Sequence, residues 1–156
     1  MPVEKLRNYL DEHNIKYVSI KHSLAYTAQE IAASAHIHGK ELAKTVIVKV
    51  DDRMAMAVLP ANYRIDLKLL SEAAGAKHAG LADEQEFQSL FPGCAPGAMP
   101  PFGNLYDMDV FVDVSLSEDE EIAFNAGSHT ELIRLSYKDF DTLVKPRVTR
   151  LAVKPK

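Results

Sequence analysis

The stretch TVIVKVDDRMAMAVL, residues 45–59, contains two runs of β-branched and other apolar residues on either side of the polar triplet DDR. Runs of this composition with a short polar connection are typical of a β-hairpin. Neither run alternates strictly between apolar and polar residues, so we expect both faces of the hairpin to be buried inside a sheet. Pro60 follows directly and ends the second strand.

The residues before the hairpin carry helix and strand patterns. Apolar residues recur at helical spacing from Pro2 to about Asn14, which predicts a first helix, and a short strand is predicted at residues 17–22. The sequence TAQE at residues 27–30 is a capping box, in which a threonine and a glutamate satisfy free amides at a helix N-terminus. It predicts a second helix.

Helix and strand patterns also alternate after the hairpin. Asp66 is placed to cap a helix that runs through Ala74 and ends at Gly75, a residue type that tolerates the left-handed conformation. A strand-like stretch at residues 78–81 and a short helix at residues 83–91 follow.

Three strands are predicted in the last third of the chain, from MDVFVDVSL (108–116), EIAFNAG (121–127) and ELIRLS (131–136). SYKD (136–139) is a second capping box and predicts a helix after the third strand. Hairpin-length turns join the strands as often as helices do. The predicted fold class is therefore α+β, with a mixed, mostly antiparallel sheet wrapped by helices.

Length and composition favour one domain, which we place at residues 1–146, because 156 residues that are 47% apolar suffice for a core. Residues 147–156 are basic, and we interpret them as a solvated tail, with loose phosphate contact as the alternative. No apolar run approaches the roughly 20 residues that cross a bilayer, and the single cysteine fits a reducing compartment, so a cytoplasmic protein is predicted. The net charge of −4 argues against a protein that coats nucleic acid.

The segment PGCAPGAMPPFGN, residues 92–104, holds four of the eight prolines and three of the seven glycines. Prolines fix the backbone and glycines allow close approach, so such a loop presents peptide groups in a rigid array. Gly97, Pro101 and Gly103 form the pattern G-x-x-x-P-x-G, and Phe102 is an apolar anchor for the core. The spacing fits neither glycine-rich phosphate motif, and a purely rigid connection is the alternative interpretation.

Two further residues lie where functional side chains are often found. Lys44 marks the point where a polar stretch becomes a buried strand, so its charge is able to face a cleft while its stem packs on the core. His129 closely follows Gly127 in a turn between two predicted strands. The ordinary alternatives are a solvated lysine and a surface histidine.

Other combinations of reactive residues are less specific. His36 and His38 would offer two metal ligands, but no carboxylate or cysteine has the usual ligand spacing, so neither a metal nor a cofactor is predicted. Cys94 with His129 would form a thiol nucleophile and its base, although no known local signature surrounds this cysteine. Three aspartates would share one strand face, and solvation explains them more simply than catalysis: Asp107, Asp109 and Asp113.

The order of these motifs is more specific than any one of them. AKTVIVK (43–49), GAMPPFG about fifty residues later (97–103) and FNAGSHTELIRLSYKDF (124–140) together resemble the YbaK and prolyl-tRNA-synthetase-associated editing domain family. The resemblance covers nearly the whole chain. It implies the fold of that family and hydrolysis of the ester between a wrong amino acid and the 3′-terminal adenosine of a tRNA, above all tRNA(Pro) carrying alanine or cysteine.

The resemblance also implies roles for individual residues. The lysine of the family corresponds to Lys44, its G-x-x-x-P loop to residues 97–101, and its A-G-x-H turn to residues 126–129. Lys44 is the expected catalytic residue, whose ammonium would bind the terminal phosphate or the developing oxyanion. The expected substrate-binding residues are Gly97, Ala98, Met99, Pro100, Pro101, Phe102, Gly103, Gly127 and His129.

The expected partner is the 3′ acceptor end of an aminoacyl-tRNA, with a cognate aminoacyl-tRNA synthetase as a second partner and no membrane. The oligomeric state is left open, with a monomer favoured. Two other functions remain open. One is a non-catalytic module of the same fold that binds a tRNA end or a synthetase, and the other is a small-molecule or thiol-dependent hydrolase that uses Cys94.

Overall fold

A computed structural model describes residues 2–21, 42–91, 94, 98–128 and 130–154, so the helix predicted from TAQE lies outside the described residues. The described helices are α1 (Pro2–Glu12), α2 (Leu67–Ala74), α3 (Glu84–Phe87), α4 (Val114–Ser117) and α5 (Tyr137–Val144). The described strands are β1 (Tyr17–Lys21), β2 (Leu42–Val50), β3 (Arg53–Pro60), β4 (Arg64–Ile65), β5 (Ala79–Leu81), β6 (Asp109–Asp113), β7 (Glu121–Asn125), β8 (Glu131–Ser136), β9 (Arg147–Thr149) and β10 (Ala152–Val153). In this part of the chain, no helix combines the length and apolar character needed to span a membrane.

The hairpin predicted at residues 45–59 is present as β2 and β3, which pair antiparallel along nearly their full lengths. Asp51 forms its turn with a φ of 55°, a left-handed conformation that aspartate adopts more readily than most residues. The Asp51 carboxylate accepts hydrogen bonds from the backbone N–H groups of Lys77 and His78, both at 3.1 Å. The turn is therefore tied to the segment that enters β5.

The described strands form one main sheet in the order β1-β8-β7-β2-β3-β6-β9. The pairs β1–β8, β7–β8 and β2–β3 are antiparallel, whereas β2–β7, β3–β6 and β6–β9 are parallel. β5 pairs antiparallel with the far end of β2, and β10 pairs antiparallel with β4 in a small separate sheet. The predicted α+β class, with a mixed and mostly antiparallel sheet, is confirmed.

Both faces of the sheet are covered by apolar side chains. On one face, Leu6 and Leu10 of α1 and Phe140 of α5 join the larger core cluster with strand residues of β2, β3, β6, β7 and β8. On the other face, Leu70 of α2 packs with Leu151 and with residues of β2, β3 and β6. The buried character predicted for the hairpin follows from this two-sided packing.

Helix boundaries follow local capping chemistry. α1 ends at Glu12, two residues before the predicted end, because Asn14 takes a left-handed φ of 57° that no helix continues through. The boundaries predicted for α2 are confirmed: Asp66 Oδ1 accepts a hydrogen bond from the Leu69 N–H at 3.0 Å, and Gly75 ends the helix with a φ of 67°.

The strand predicted at residues 108–116 is shorter in the structure. It ends at Asp113, because the carboxylate of this residue accepts a hydrogen bond from the Ser115 N–H at 3.1 Å and so begins α4. The second predicted capping box is confirmed at the start of α5, where the Ser136 hydroxyl accepts a hydrogen bond from the Asp139 N–H at 3.1 Å.

The C-terminal residues correct two expectations. Residues 147–153 do not form a solvated tail, because β9 pairs with β6 and β10 pairs with β4. Asp113 is not solvated either, since it is 2% exposed and its Oδ1 accepts hydrogen bonds from the N–H groups of Leu151 and Ala152, both at 3.0 Å. The carboxylate lies at the junction of β6, α4 and the C-terminal segment, and the composition of that segment gave no sign of this contact.

We expect Asp113→Ala to lower the free energy of unfolding by about 2 to 4 kcal/mol, because it leaves buried backbone N–H groups without an acceptor. For a domain of this size the melting temperature should fall by about 5 to 15 °C, measured by thermal or urea denaturation. Asp109→Ala is the matched control: its carboxylate is 70% exposed in a 3.9 Å ion pair with Arg53, and the loss should stay within about 0.5 kcal/mol. Equal effects of the two substitutions would contradict this role for Asp113.

Candidate active site

β2 and β7 are joined over only two residue pairs, the second of which is Ala43 with Phe124. This short parallel contact connects β1, β8 and β7 to the rest of the main sheet. Beyond it, β7 ends at Asn125, whereas β2 continues toward its pairing with β5. The two strands therefore separate at Lys44, the residue after the last pair.

Lys44 is half-buried at this separation and lies opposite Leu59 of β3. Within the described part of the chain, its ammonium has neither a carboxylate at ion-pair distance nor a hydrogen-bond acceptor. Burial lowers the pKa of Lys44 below the ordinary value for lysine, because desolvation disfavours the charged form. A cation in this environment, with no counter-charge among the described residues, is suited to bind an anionic group of a ligand.

The proline- and glycine-rich loop meets the turn after β7. The carbonyl oxygen of Ala98 accepts a hydrogen bond from the Gly127 N–H at 2.8 Å. Gly127 has a φ of 96°, a conformation that side-chain-bearing residues rarely adopt. Because this N–H already has an acceptor, Gly127 holds the loop in place and does not offer its amide to a substrate oxyanion.

The C-terminal half of the loop is anchored in the core, as predicted for Phe102. This residue is fully buried, and its ring centroid lies 5.6 Å from those of both Phe124 and Phe140. Gly103 follows in close contact with Met108 and Val110, and a Cβ at this position would overlap the Met108 carbonyl oxygen. The glycine is therefore required by space, not by an unusual φ.

Helix α1 fixes the segment just after the loop. The Lys5 ammonium donates a hydrogen bond to the Leu105 carbonyl at 3.0 Å, and the Asn104 side-chain amide donates one to the Tyr9 hydroxyl at 2.9 Å. The Tyr9 ring also meets the Phe102 ring edge to face, with centroids 6.2 Å apart. The loop is consequently held from three sides, by the core, by α1 and by the Gly127 turn.

The backbone in the middle of the loop, from Met99 to Pro101, has hydrogen-bond acceptors but few donors. Pro100 and Pro101 have no backbone N–H, so this stretch offers carbonyl oxygens and almost no donors. Among the described residues, no backbone N–H donates to the carbonyls of residues 99–101. Met99, Pro100 and Pro101 are all buried, and the Met99 side chain, which is 4% exposed, belongs to the core.

Asn125 was not singled out by its sequence. It is the last residue of β7, one position after the pair of Ala43 with Phe124, so it stands at the level of Lys44. Side chains alternate along each strand, which places Asn125 and Lys44 on the same face of the sheet. The motif FNAG contained this residue, but an asparagine before an alanine and a glycine is also an ordinary turn signal.

The structure describes some of the predicted site residues and not others. Ala98 and Gly127 are brought together by their hydrogen bond, and Lys44 lies at the end of the β2–β7 contact, level with Asn125, which is two residues before Gly127. Gly97 and His129 lie outside the described residues, as do the alternative metal ligands His36 and His38.

Cys94 is buried, and the structure gives no support to its use as a nucleophile. Burial raises the pKa of its thiol, while the Tyr106 hydroxyl and the Lys5 charge act in the opposite direction. Since the thiolate is the reactive form, a thiol in this environment is a poor nucleophile at neutral pH.

A cleft of about 450 Å³ lies away from these residues, between the end of β2, the start of β6 and the C-terminal end of α2. Val50, which lines it, is six residues from Lys44, or about 20 Å along the strand. Arg53, Lys145 and Arg147 also line this cleft, together with Phe111. It includes none of the predicted site residues that the structure describes, and it is a separate feature of the surface.

Known proteins share this fold. The solved structure of a candidate trans-editing enzyme for prolyl-tRNA synthetase superposes with a TM-score of 0.83 over 97% of both chains, at 19% sequence identity. The multifunctional Ser/Thr-tRNA deacylase ProXp-y of Escherichia coli strain K12 is 32% identical over 124 residues, which are 74% of each chain. The prolyl-tRNA editing protein ProX of Acetoanaerobium sticklandii is 27% identical over 142 residues, 87% of this chain and 86% of ProX.

A longer relative contains the same unit as one of its parts: 76% of this chain matches 22% of a proline–tRNA ligase from Shouchella clausii, at 28% identity. The family model of the aminoacyl-tRNA editing domain matches residues 22–143. This match confirms the family predicted from the motifs, and with it the enzyme class, a hydrolase of aminoacyl-tRNA esters. The chain belongs to the aminoacyl-tRNA editing domain family.

Proposed function

We propose that this protein edits in trans, and that it removes a small non-cognate amino acid, such as alanine or cysteine, from mischarged tRNA(Pro). The observation that carries the proposal is the half-buried Lys44 ammonium, which has no counter-charge among the described residues and lies where β2 and β7 separate. A tRNA 3′ end brings an ester beside phosphate groups, and both need a fixed positive charge nearby.

The chemical step needs few protein groups. An aminoacyl ester is already activated, so water attacks its carbonyl carbon, a tetrahedral oxyanion forms, and the bond to the ribose oxygen breaks. The ribose oxygen takes a proton, and the free amino acid leaves. Water or the vicinal ribose hydroxyl relays the protons, and the protein contributes orientation and charge stabilisation.

Lys44 supplies the charge in this proposal. Its ammonium binds the oxyanion or the terminal phosphate, and partial burial strengthens either interaction relative to one in open water. Because no carboxylate among the described residues holds the ammonium, none has to be displaced before the substrate is bound.

The loop supplies orientation. The acceptor-only backbone of residues 99–101 suits the α-ammonium of the esterified amino acid, which needs hydrogen-bond acceptors. Gly97 and His129 complete the rim of the pocket in this proposal, and the hydrogen bond from Gly127 to Ala98 fixes the distance between loop and turn. A rigid rim excludes larger side chains by size, which binding energy alone does poorly for small apolar groups.

Lys44→Ala should lower kcat for deacylation by about 10²- to 10³-fold, the usual effect of losing one electrostatic contact to the transition state. Release of amino acid from mischarged tRNA(Pro) measures it. Lys49→Ala is the matched control on the same strand, because Lys49 forms an exposed ion pair with Glu86 that contributes little to stability. Hydrolysis by neither the wild type nor Lys44→Ala, with tRNA bound by both, would instead support a non-catalytic module.

The pH profile should report the protonation of Lys44. As the pH rises from about 7 toward 10, a lysine whose pKa is lowered by burial loses its proton before an exposed lysine does, so kcat should fall once spontaneous hydrolysis is subtracted. Lys44→Arg, whatever activity it retains, should show no such fall, because a guanidinium stays protonated. A wild-type profile without an alkaline decline would argue against a role for the ammonium.

Specificity should follow side-chain size. In a panel of tRNA(Pro) charged with Ala, Cys or Pro, and of cognate tRNAs charged with Ser or Thr, we expect Ala and Cys to be released about 10- to 200-fold faster than Pro, the range that one or two methylene groups provide. The Ser and Thr substrates test the alternative range suggested by the name of the E. coli relative. Equal rates with Ala and Pro would contradict a size-selective pocket.

A further inference from the structure

The C-terminal segment 145–154 concentrates positive charge in an acidic protein. It contains Lys145, Arg147, Arg150 and Lys154 and no acidic residue. Since the chain has a formal net charge of −4, the remaining residues carry −8. The four side chains are exposed, so their charge is presented to solvent.

This charge is held on a fixed backbone. Leu151 and Ala152 are buried between Arg150 and Lys154, and both of their N–H groups donate to the Asp113 carboxylate at 3.0 Å. The Leu151 carbonyl accepts a hydrogen bond from the Asp66 N–H at 2.7 Å. A preorganised cation loses less entropy when it binds an anion than a cation on a mobile tail.

Two exposed cations of the adjoining elements extend the surface. Arg64 belongs to β4, where it pairs with Val153 of β10, and Lys68 is in the first turn of α2. Arg147 connects the two parts, because its guanidinium donates to the Ala73 carbonyl at 3.3 Å and lies 5.6 Å from the centroid of the Phe111 ring. We define the basic face as Arg64, Lys68, Lys145, Arg147, Arg150 and Lys154.

The basic face lies on the same side of the sheet as Lys44. Lys44 is paired with Leu59, so the two side chains share a face, and Leu59 packs in one cluster with Leu70 of α2 and Leu151. β9, which carries Arg147, is three strands away from β2, or about 14 Å at the usual strand spacing. A ligand bound at Lys44 thus has the basic face within reach if it extends across α2.

We propose that the basic face binds the phosphate backbone of the acceptor stem of the tRNA whose ester is held at Lys44; this rests on the function proposed above. Duplex nucleic acid carries one charge for about every 1.7 Å of axis, so several phosphates pass over a surface of this size. Proteins recognise duplex RNA mainly through phosphate and 2′-hydroxyl contacts, for which a row of spaced cations is suited. The acidic remainder of the surface repels the same polyanion and restricts the docked orientation.

Binding of uncharged tRNA tests the proposal without any catalysis. Arg150→Gln/Lys154→Gln should raise Kd by about 3- to 10-fold at low salt and reduce the slope of log Kd against log salt concentration by about 1 to 2. Lys16→Gln/Lys138→Gln removes the same charge from exposed residues elsewhere and should change neither quantity. Equal behaviour of the two double variants would overturn the proposal, and it is the result expected if the face binds an acidic protein instead.

Measurements of deacylation test the role of the basic face separately from the proposed function on which it rests. On full-length mischarged tRNA, Arg150→Gln/Lys154→Gln should lower kcat/KM by a similar factor, with kcat little changed. On a short 3′-aminoacylated CCA fragment, which has no stem, it should match the wild type. An equal loss on both substrates would overturn the proposal. A wild type that hydrolyses neither substrate would refute the function, while the salt dependence of tRNA binding would still decide the role of the basic face.

Discussion

The parallel contact between the starts of β2 and β7 is only two residue pairs long, and it joins the two halves of the main sheet. Strands that remained paired would satisfy each other's backbone groups and leave no room for a ligand. Because these strands separate at Lys44, a half-buried cation lies at a strand end, close in register to the Gly127 turn that is bonded to the loop. The proposed site is therefore a consequence of how the sheet is joined, and the helices and the second half of the sheet support that junction.

The proposed site contains few charged groups. In the function we propose, a half-buried cation without a counter-charge among the described residues, together with a backbone segment rich in acceptors, is sufficient for a substrate that is already activated. The larger positive surface lies elsewhere, on α2 and the C-terminal strands, where exposed side chains contribute long-range attraction without altering the pocket. In the two proposals, chemistry and substrate capture thus belong to different parts of the protein surface.

Local rules predicted much of the fold from sequence. The hairpin and the caps at Asp66, Gly75 and Ser136 depend on residues close together in the chain, and each is confirmed. The part played by Asp113 depends on backbone amides almost forty residues later, so its sequence neighbours contained no sign of it. The short strand at residues 147–149 gives too weak a pattern to outweigh a basic composition.

The position of Lys44 beside the end of β7, close to the Gly127 turn, was not deducible from spacing either, because it depends on which strands become neighbours. The order of three motifs supplied that information through a family resemblance. The position of Asn125 could not be predicted from the sequence. It lies beside Lys44 because of the strand register, which a single sequence does not specify.

The hydrogen bond from the Gly127 N–H to the Ala98 carbonyl affects the stiffness of the loop as well as its position. A pocket that discriminates by size needs rigid walls, because a wall that moves by a fraction of an ångström admits the next larger side chain. By bonding the loop to the end of a sheet strand, and by burying Phe102 among aromatic rings, the protein gives the loop the stiffness of the core. In the function we propose, selectivity therefore depends on the stiffness of the core, and substitutions that loosen the core would broaden the range of amino acids removed before they impaired the chemistry.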